Sequence, residues 1–197
     1  MAPTAHLEPG VVQAYGRSLT GVIDVGRYPG GADERCREVA SALGASRFSS
    51  EARPDIMRFK YAKLIANLGN AVEAICEPGA DAEELVARAG EEGTTVLHAA
   101  GIEFVADGVD DVRARWRRLD VRKISGRERG GSSTWQSLAR GTASVETDYL
   151  NGEIALLGRV HGVSTPVNEL LCRLSDRLAR EGGEPAQLPA QEVLAQL

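Results

Sequence analysis

Three polar residues in one apolar segment have the types and the spacing of a site that could move a proton. Lys63, Asn67 and Asn70 follow one another at intervals of four and three residues, so a helix would place all three on one face. The segment is predicted to be helical over residues 55–77. A lysine ammonium donates protons and an asparagine amide both donates and accepts hydrogen bonds. The predicted face therefore combines a proton donor with two hydrogen-bonding groups.

The surroundings of this face are unusual for a helix exposed to solvent. Residues 64–72 carry no charge, and the opposite face is an apolar stripe of Met57, Tyr61, Leu64, Leu68, Val72 and Ile75. A helix that is small or apolar nearly all round is buried on more than one side, so Lys63 is expected to face a crevice. In the alternative interpretation, Asn67 and Asn70 are hydrogen-bonded core amides and Lys63 extends its ammonium into solvent.

A carboxylate in a second predicted helix, over residues 145–160, is the natural counterpart of the lysine. Leu150, Ile154, Leu157 and Val160 define the inward face of that helix, and Glu146 projects onto the same face. Glu153 lies near the stripe as well, so helical geometry alone does not select Glu146. A lysine and a carboxylate on facing buried helices would suit acid/base chemistry or a plain ion pair.

Several common nucleotide and metal sites are excluded by the sequence. No two glycines are separated by one residue, so a G-x-G-x-x-G loop is impossible, and there is no Gly-Lys pair for a Walker-type loop. There is no H-E-x-x-H motif, and the three histidines do not cluster with other ligands at the spacing of a zinc site. No metal site is therefore predicted.

Composition indicates a globular cytoplasmic protein. The 197 residues suit one domain, or one domain with a fragment of another, and 43% are apolar. The net charge of −5 gives no basic footprint for nucleic acid, and no apolar run reaches the ~20 residues of a membrane span. The first ten residues have no features of a secretory signal. The three cysteines are far apart, and we expect reduced, mostly buried thiols.

The remaining pattern predicts a small α/β segment followed by helices. Two short strands are expected within residues 10–28, then a helix from Asp33 to about Leu43 ended by Gly44, and a strand at residues 47–49. Further helices are predicted at 81–99 with interruptions at Gly90 and Gly93, at 107–118, from Ser132 or Ser133 to Leu138, from Thr142 or Ser144 to Val160, from Pro166 to Glu181 with Thr165 as cap, and at 191–197. The strands lack a sheet, so their unpaired edges predict a dimer or a larger assembly.

The sequence resembles the ketopantoate reductase (2-dehydropantoate 2-reductase) family. Residues 146–171, ETDYLNGEIALLGRVHGVSTPVNELL, resemble that family's E-I-D-Y-L-N-G…P-T-P-x-N signature. Residues 60–75, KYAKLIANLGNAVEAI, resemble its K-W-x-K-L-x-x-N segment, and SSTWQSLARG at 132–141 is a weaker match. HLEPGVVQAYG and GVIDVGRYPGG look like the last strands of the family's nucleotide-binding domain.

The resemblance implies a fold, an activity and a cofactor. It implies a mainly α chain, in which residues 1–52 are the end of a Rossmann domain and residues 53–197 form a helical domain of the 6-phosphogluconate dehydrogenase C-terminal-like type. The active site would lie in the cleft between the two domains. The implied reaction is the NADPH-dependent reduction of ketopantoate, or a related 2-oxo acid, on the route to pantothenate and coenzyme A.

The resemblance also implies roles for individual residues. Lys63 takes the position of the family's general acid, and Asn67 that of a substrate-binding asparagine. Asn70 is a further substrate-binding candidate, three residues after Asn67 where some members have four. Ser132 or Ser133 matches the substrate-binding serine, because one extra residue before Glu146 leaves the choice open. Glu146 matches the acidic residue near the nicotinamide end of the cofactor.

Two functions from different classes follow. In the first, the chain is the C-terminal part of the reductase, and most of the cofactor domain is missing or is supplied by a separate nucleotide-binding chain. In the second, the chain is a catalytically inactive helical module for dimerisation or interaction that retains the family fold. The missing glycine loop favours the second function for the isolated chain, whereas the joint presence of Lys63, Asn67 and Glu146 favours the first.

Overall fold

A computed structural model of the chain describes residues 10–105, 118–122, 124–125, 131–141 and 146–197. Most of the described residues lie in helices, and the strands form one small sheet, so the predicted mainly helical fold is confirmed. The chain divides into two compact units: the described parts of Met1–Ala62 with Phe104–Arg129, and of Lys63–Glu103 with Gly130–Leu197. The domain boundary expected between residues 52 and 53 stays a prediction.

The first unit contains a parallel pair of very short strands joined by a helix. Strand β1 (Gly21–Val22) pairs with β2 (Phe48–Ser49), and α1 (Glu34–Ala45) connects them. The Asp33 carboxylate accepts a hydrogen bond from the Cys36 amide at 2.9 Å and caps α1 as predicted. The helix does not stop at Gly44, because Ser46 bonds the carbonyls of its last turn instead.

The sheet is smaller than the sequence predicted. The first of the two strands expected within residues 10–28 is wrong: that segment contributes an isolated bridge between Gly16 and Val121. The second strand is limited to β1, although Val25 and Ala52 form one further parallel bridge. A largely buried ion pair between Asp24 and Arg53, 2.9 Å apart, secures this end of the pairing.

The second unit is a cluster of helices. It receives the end of α2 (Ile56–Asn67) and contains α3 (Gly69–Ile75), α4 (Ala80–Ala99), α5 (Ser133–Ala139), a 3-10 helix (Glu146–Tyr149), α6 (Asn151–His161), α7 (Pro166–Glu181) and α8 (Ala190–Leu194). Helix α3 packs against α4, α5 and α7. The fully buried side chains around it include Leu68, Ile75, Leu85, Leu97 and Leu171. The core therefore lies around α3, directly after the segment with the lysine and the asparagines.

Helix α4 runs without the interruptions predicted at its two glycines. Gly93 has a packing role, because a Cβ atom there would lie 2.7 Å from Leu68 and 2.8 Å from Ile65. The absence of a side chain at Gly93 lets the end of α2 approach α4 closely. Gly90 has no such neighbour, since a Cβ at that position would meet nothing within 4 Å.

The ends of α6 and α7 agree with the predicted glycine stops. Gly162 and Gly182 adopt left-handed backbone conformations with φ of 70° and 65°. The amides of Gly162 and Val163 both bond to the Gly158 carbonyl, which folds the chain back over α6. A Cβ at Gly158 would lie 2.7 Å from the Val163 carbonyl oxygen. The turn into α7 therefore depends on a glycine at position 158.

The described residues leave some predictions outside the structure. The helix predicted at 107–118 falls outside them except for its last residue, and so do the predicted helix starts at Thr142 and Ser144. Cys36, Cys76 and Cys172 are all described and are free thiols, as expected, with the first two buried. Among the helices of the described part, none has the length and apolar character needed to cross a membrane.

The two helical glycines at 158 and 90 form a matched pair for a stability test. We expect Gly158→Ala to lower the free energy of unfolding by about 1–3 kcal/mol, because the new methyl group overlaps backbone atoms. Gly90→Ala should raise it by up to about 1 kcal/mol, because alanine favours the helix and meets open space. Urea unfolding followed by circular dichroism measures both, and equal effects of the two substitutions would contradict the packing at Gly158.

Candidate functional site

The side chains of Lys63, Asn67 and Asn70 are accessible and unpaired. Lys63 is exposed, and the two asparagines are partly buried. None of the three side chains hydrogen-bonds or ion-pairs with another residue in the described part of the chain. Lys63 and Asn67 are four residues apart in α2 and share a face. Their polar groups are therefore available to a ligand from outside.

The predicted burial of Lys63 is wrong. None of the twelve residues of α2, all of them described, is buried. The apolar character of the segment led to the prediction, but only its second half enters the core: Leu68, Ala71, Val72, Ala74 and Ile75 are at most 1% exposed. Since Lys63 is exposed, it needs no internal partner to balance its charge.

The helix predicted at 55–77 is found as two helices with a break of one residue at Leu68, which itself keeps helical backbone angles (φ −60°, ψ −32°). Helix α2 ends at Asn67 and α3 begins at Gly69. The Leu68 amide bonds to the Ile65 carbonyl three residues back, at 3.2 Å, which tightens the chain at the junction. The Leu68 carbonyl accepts a hydrogen bond of 3.1 Å from the side-chain amide of Asn151. A side chain that bonds to the backbone in this way is a known cause of helix interruption.

Asn151 belongs to a buried chain of hydrogen bonds through the second unit. Its Nδ2 also donates to Oδ1 of Asn168 at 2.9 Å, and both asparagines are fully buried. Asn168 Nδ2 in turn donates to the Ala89 carbonyl at 3.1 Å and to the Glu92 carboxylate at 2.7 Å. These bonds connect the helix break at Leu68 to α6, α7 and α4.

The Glu92 carboxylate caps α7, a role that the sequence assigned to Thr165. Its oxygens accept hydrogen bonds from the backbone amides of Val167 and Asn168, at 2.9 and 3.0 Å. Thr165 makes no side-chain cap bond. A carboxylate suits this position, because the unpaired amides and the helix dipole make the start of a helix positive.

Two adjacent serines at the start of α5 have different partners. Ser132 is the N-cap: its hydroxyl accepts from the Trp135 amide and donates to the Asn70 carbonyl at 3.3 Å. The Ser132 amide donates to the Glu73 carboxylate at 3.0 Å. Ser133 is exposed and donates to the Glu146 carboxylate at 3.3 Å. The structure therefore brings Ser133 and Glu146 together and leaves Ser132 a structural role.

Glu146 does not lie in the helix predicted for it. It begins the 3-10 helix at Glu146–Tyr149, and α6 starts only at Asn151, so Glu146 is exposed and not on an apolar stripe. Val160, predicted to face inward, is 68% exposed.

The Thr147 carbonyl, next to Glu146, accepts a 3.8 Å hydrogen bond from the Cys172 thiol. Burial raises the pKa of that thiol to about 12, so it stays a neutral donor.

The start of α1, in the first unit, already carries acidic side chains where the phosphates of a dinucleotide would bind. The Asp33 carboxylate already takes the Cys36 amide and pairs with Arg27, and these bonds hold the pKa of Asp33 far below its usual range. Glu34 adds a second acidic residue to the first turn. Anion sites at helix starts need free amides and positive potential. The start of α1 therefore does not fit the phosphates of a dinucleotide.

A metal is not a candidate ligand for the described residues. They contain no cluster of three or more histidine, cysteine, aspartate or glutamate side chains that could hold an ion.

Sequence reasoning missed Asn151, Asn168 and Glu92. The two asparagines lie within residues 146–171, where the predicted features were Glu146 and an apolar stripe. The available signal was an asparagine within an apolar helix face, which must find partners when it is buried. Glu92 had no local signal, because its partners are 75 and 76 residues away.

The roles of the two serines predict effects of different size on stability. Ser132→Ala should lower the free energy of unfolding by about 1 kcal/mol, because it removes the cap of α5. Ser133→Ala should change it by less than about 0.5 kcal/mol, since that hydroxyl is exposed. Chemical denaturation of both variants tests this, and a larger loss for Ser133→Ala than for Ser132→Ala would contradict the assignment of the cap.

Comparison with known proteins gives the same family over most of the chain. The family described as ketopantoate reductase PanE/ApbA C terminal matches residues 55–179, more than half of the sequence. A curated relative, the 2-dehydropantoate 2-reductase of Pyrococcus horikoshii, is 29% identical over 184 residues. That alignment covers 89% of this chain and 57% of the relative, so the chain spans little more than half of the relative's length.

Solved structures show the same fold. A PanE/ApbA family ketopantoate reductase from Ralstonia eutropha JMP134 superimposes with a TM-score of 0.65 at 28% identity, covering 92% of this chain and 57% of that one. A D-mandelate dehydrogenase, solved with NADH and anilino(oxo)acetate, has a TM-score of 0.59 at 18% identity. The superposition covers 82% of this chain and 67% of the D-mandelate dehydrogenase, and it shows similarity of fold alone.

Proposed function

We propose a function from the premise that this chain belongs to the ketopantoate reductase PanE/ApbA C-terminal family. The proposed function is that of the substrate-binding and proton-donating part of an NADPH-dependent reductase. Its substrate is ketopantoate or a close 2-oxo acid, and its product is the 2-hydroxy acid used for pantothenate and coenzyme A. We place this activity in the cytoplasm.

One observation carries the proposal. Lys63 and Asn67 lie one helical turn apart, and neither side chain has a bonding partner among the described residues. Ordinary surface lysines are unpaired as well, but here the lysine precedes an uncharged stretch with two partly buried asparagines. Partly buried amides without internal partners need water or a ligand to complete their hydrogen bonds. The face therefore suits a small acid with several oxygen atoms.

The proposed chemistry divides between hydride and proton. Reduction of a 2-oxo acid adds a hydride to the carbonyl carbon and a proton to the carbonyl oxygen; the reduced nicotinamide supplies the hydride when bound. We assign only the proton to this chain, from the Lys63 ammonium, which also stabilises the negative charge that develops on the oxygen. Asn67, Asn70 and the Ser133 hydroxyl are assigned to the carboxylate and hydroxyl oxygens of the substrate.

Ser133 is the better of the two serine candidates for this role. The Ser132 hydroxyl already bonds to the Trp135 amide and the Asn70 carbonyl, whereas the Ser133 hydroxyl has, among the described residues, the exposed Glu146 carboxylate as its one partner. A hydroxyl that donates to a carboxylate keeps its oxygen lone pairs for a second donor. We assign Glu146 to the same site, where it would orient Ser133 and face the nicotinamide end of the cofactor.

The alternative function, an inactive module for dimerisation, is favoured by a separate surface. Tyr149, Leu156 and Val160 are 82%, 53% and 68% exposed along the 3-10 helix and α6. Leu156 and Val160 are one helical turn apart on α6, and exposed apolar groups that lie together are typical of protein interaction sites. A homodimer through this surface is compatible with catalysis as well, so ligand binding and not assembly discriminates between the two functions.

Lys63→Ala tests the assigned proton donor, with Lys60→Ala as matched control on the same helix. Lys60 is exposed like Lys63 and lies three residues earlier. We expect Lys63→Ala to weaken ketopantoate binding to the chain about tenfold or more, because it removes a charged hydrogen-bond donor. With the nucleotide-binding domain of a related reductase added, NADPH oxidation should fall about a hundredfold or more.

Lys60→Ala should leave ketopantoate binding and turnover within about twofold, as for other exposed positions. Calorimetric titration and the absorbance of NADPH measure the two quantities. Equal losses in both variants would remove the assignment of Lys63. No ketopantoate binding by the unaltered chain, together with a dimer in light scattering, would favour the interaction module.

The isolated chain is expected to bind NADPH very weakly. The sequence has no glycine loop, and Asp33 and Glu34 make the start of α1 acidic, so this helix start is unsuited to the pyrophosphate. Calorimetric titration of the chain with NADPH measures this. A dissociation constant below micromolar would contradict it.

A further inference from the structure

We propose that Asn151 is a positioning residue for the substrate site: its side-chain amide fixes the helix break at Leu68 and so sets the position of Lys63 and Asn67. The inference rests on the proposed function for its substrate. Asn151 is fully buried and has no access to a ligand, so it acts only through the backbone of Leu68.

The break separates two parts of the site. Lys63 and Asn67 precede Leu68 in α2, and Asn70 follows it in α3. The Asn70 carbonyl is bonded to the Ser132 hydroxyl, so the part after the break is tied to α5, where Ser133 begins the helix. The part before the break lies in a helix without buried residues. The junction at Leu68 therefore controls how the lysine is placed relative to the serine.

The hydrogen bonds at the junction define one orientation of the Asn151 amide. An amide nitrogen has two donors, and both are used, toward the Leu68 carbonyl at 3.1 Å and Asn168 Oδ1 at 2.9 Å. A flipped amide would set its oxygen against two acceptors. Asn168 is fixed in turn, because its own nitrogen donates to the Ala89 carbonyl and to Glu92.

The other contacts at the junction are apolar, and apolar contacts do not fix the orientation of a helix. Leu68 is fully buried, and its side chain and that of Ile65 lie over Gly93 of α4. Such contacts tolerate small rotations of a helix, whereas a hydrogen bond to a single carbonyl restricts them. The Asn151 bond is thus the directional contact at the end of α2. A displacement of about 1 Å at a site can cost a hundredfold in rate.

The test compares Asn151→Leu with Val193→Ala in the full chain. Val193 is fully buried in α8 and has no part in this network, so Val193→Ala controls for lost stability alone. At a temperature where circular dichroism shows both variants folded, we expect Asn151→Leu to weaken ketopantoate binding about tenfold and Val193→Ala to change it less than twofold. Equal effects of the two substitutions would overturn the inference.

A ligand-free measurement separates this inference from the proposed function. If the unaltered chain does not bind ketopantoate, the proposed function fails. The inference about Asn151 is then tested by the backbone amide NMR signals of residues 63–70. Asn151→Leu should shift the signals of residues 63–67 and Val193→Ala should not; unchanged signals in both would overturn the inference. If Asn151→Leu does not fold, Asn151→Ser, which keeps one donor but is too short to reach both acceptors, serves in the same comparisons.

Discussion

The hydrogen bonds that begin at the Glu92 carboxylate connect most of the helices of the second unit. The Glu92 carboxylate accepts hydrogen bonds from two backbone amides at the start of α7 and from the side chain of Asn168. Asn168 accepts a hydrogen bond from Asn151, which also donates to the Leu68 carbonyl. Buried amides without partners are costly, so each member of the series requires the next. Apolar residues pack around this series, but the polar contacts determine which turn of each helix meets which.

This constraint links two segments that are far apart in sequence. Asn151 and Asn168 bring the start of α6 and the start of α7 against the break that follows Asn67. The same start of α6 follows the 3-10 helix with Glu146, whose carboxylate meets Ser133. The chemistry proposed for the site therefore depends on buried asparagines that do not touch a ligand. Polar residues in this segment divide into exposed groups that could bind and buried groups that hold the exposed ones in place.

Much of the helical architecture could be predicted from the sequence. Caps and stops depend on local chemistry, and Asp33, Ser132, Gly162 and Gly182 act as their residue types predict. The cap of α7 could not be found in this way, because Glu92 reaches it from another helix. The break at Leu68 was hidden for the same reason: α2 and α3 share one continuous apolar pattern, and the interrupting group comes from Asn151, 83 residues later.

Burial was the least predictable property of the site. The uncharged segment over residues 64–72 predicts burial on more than one side, yet burial depends on which elements cover a helix, and no residue of α2 is buried. The types of the site residues came from the sequence and from its resemblance to a family, whereas the distinction between Ser132 and Ser133 required coordinates. Two neighbouring serines have the same local propensity, and only the partners from α3 and the 3-10 helix separate them.

The exposure of α2 has an energetic consequence. Isolated helices of about 12 residues are marginal in water, and this helix has partly buried but no fully buried residues, so its local unfolding should cost less than unfolding of the core around α3. A ligand that joined Lys63 and Asn67 to Ser133 would bind only the ordered helix and would raise that cost by mass action. Amide hydrogen exchange in α2 would then report occupancy of the site without any chemical turnover.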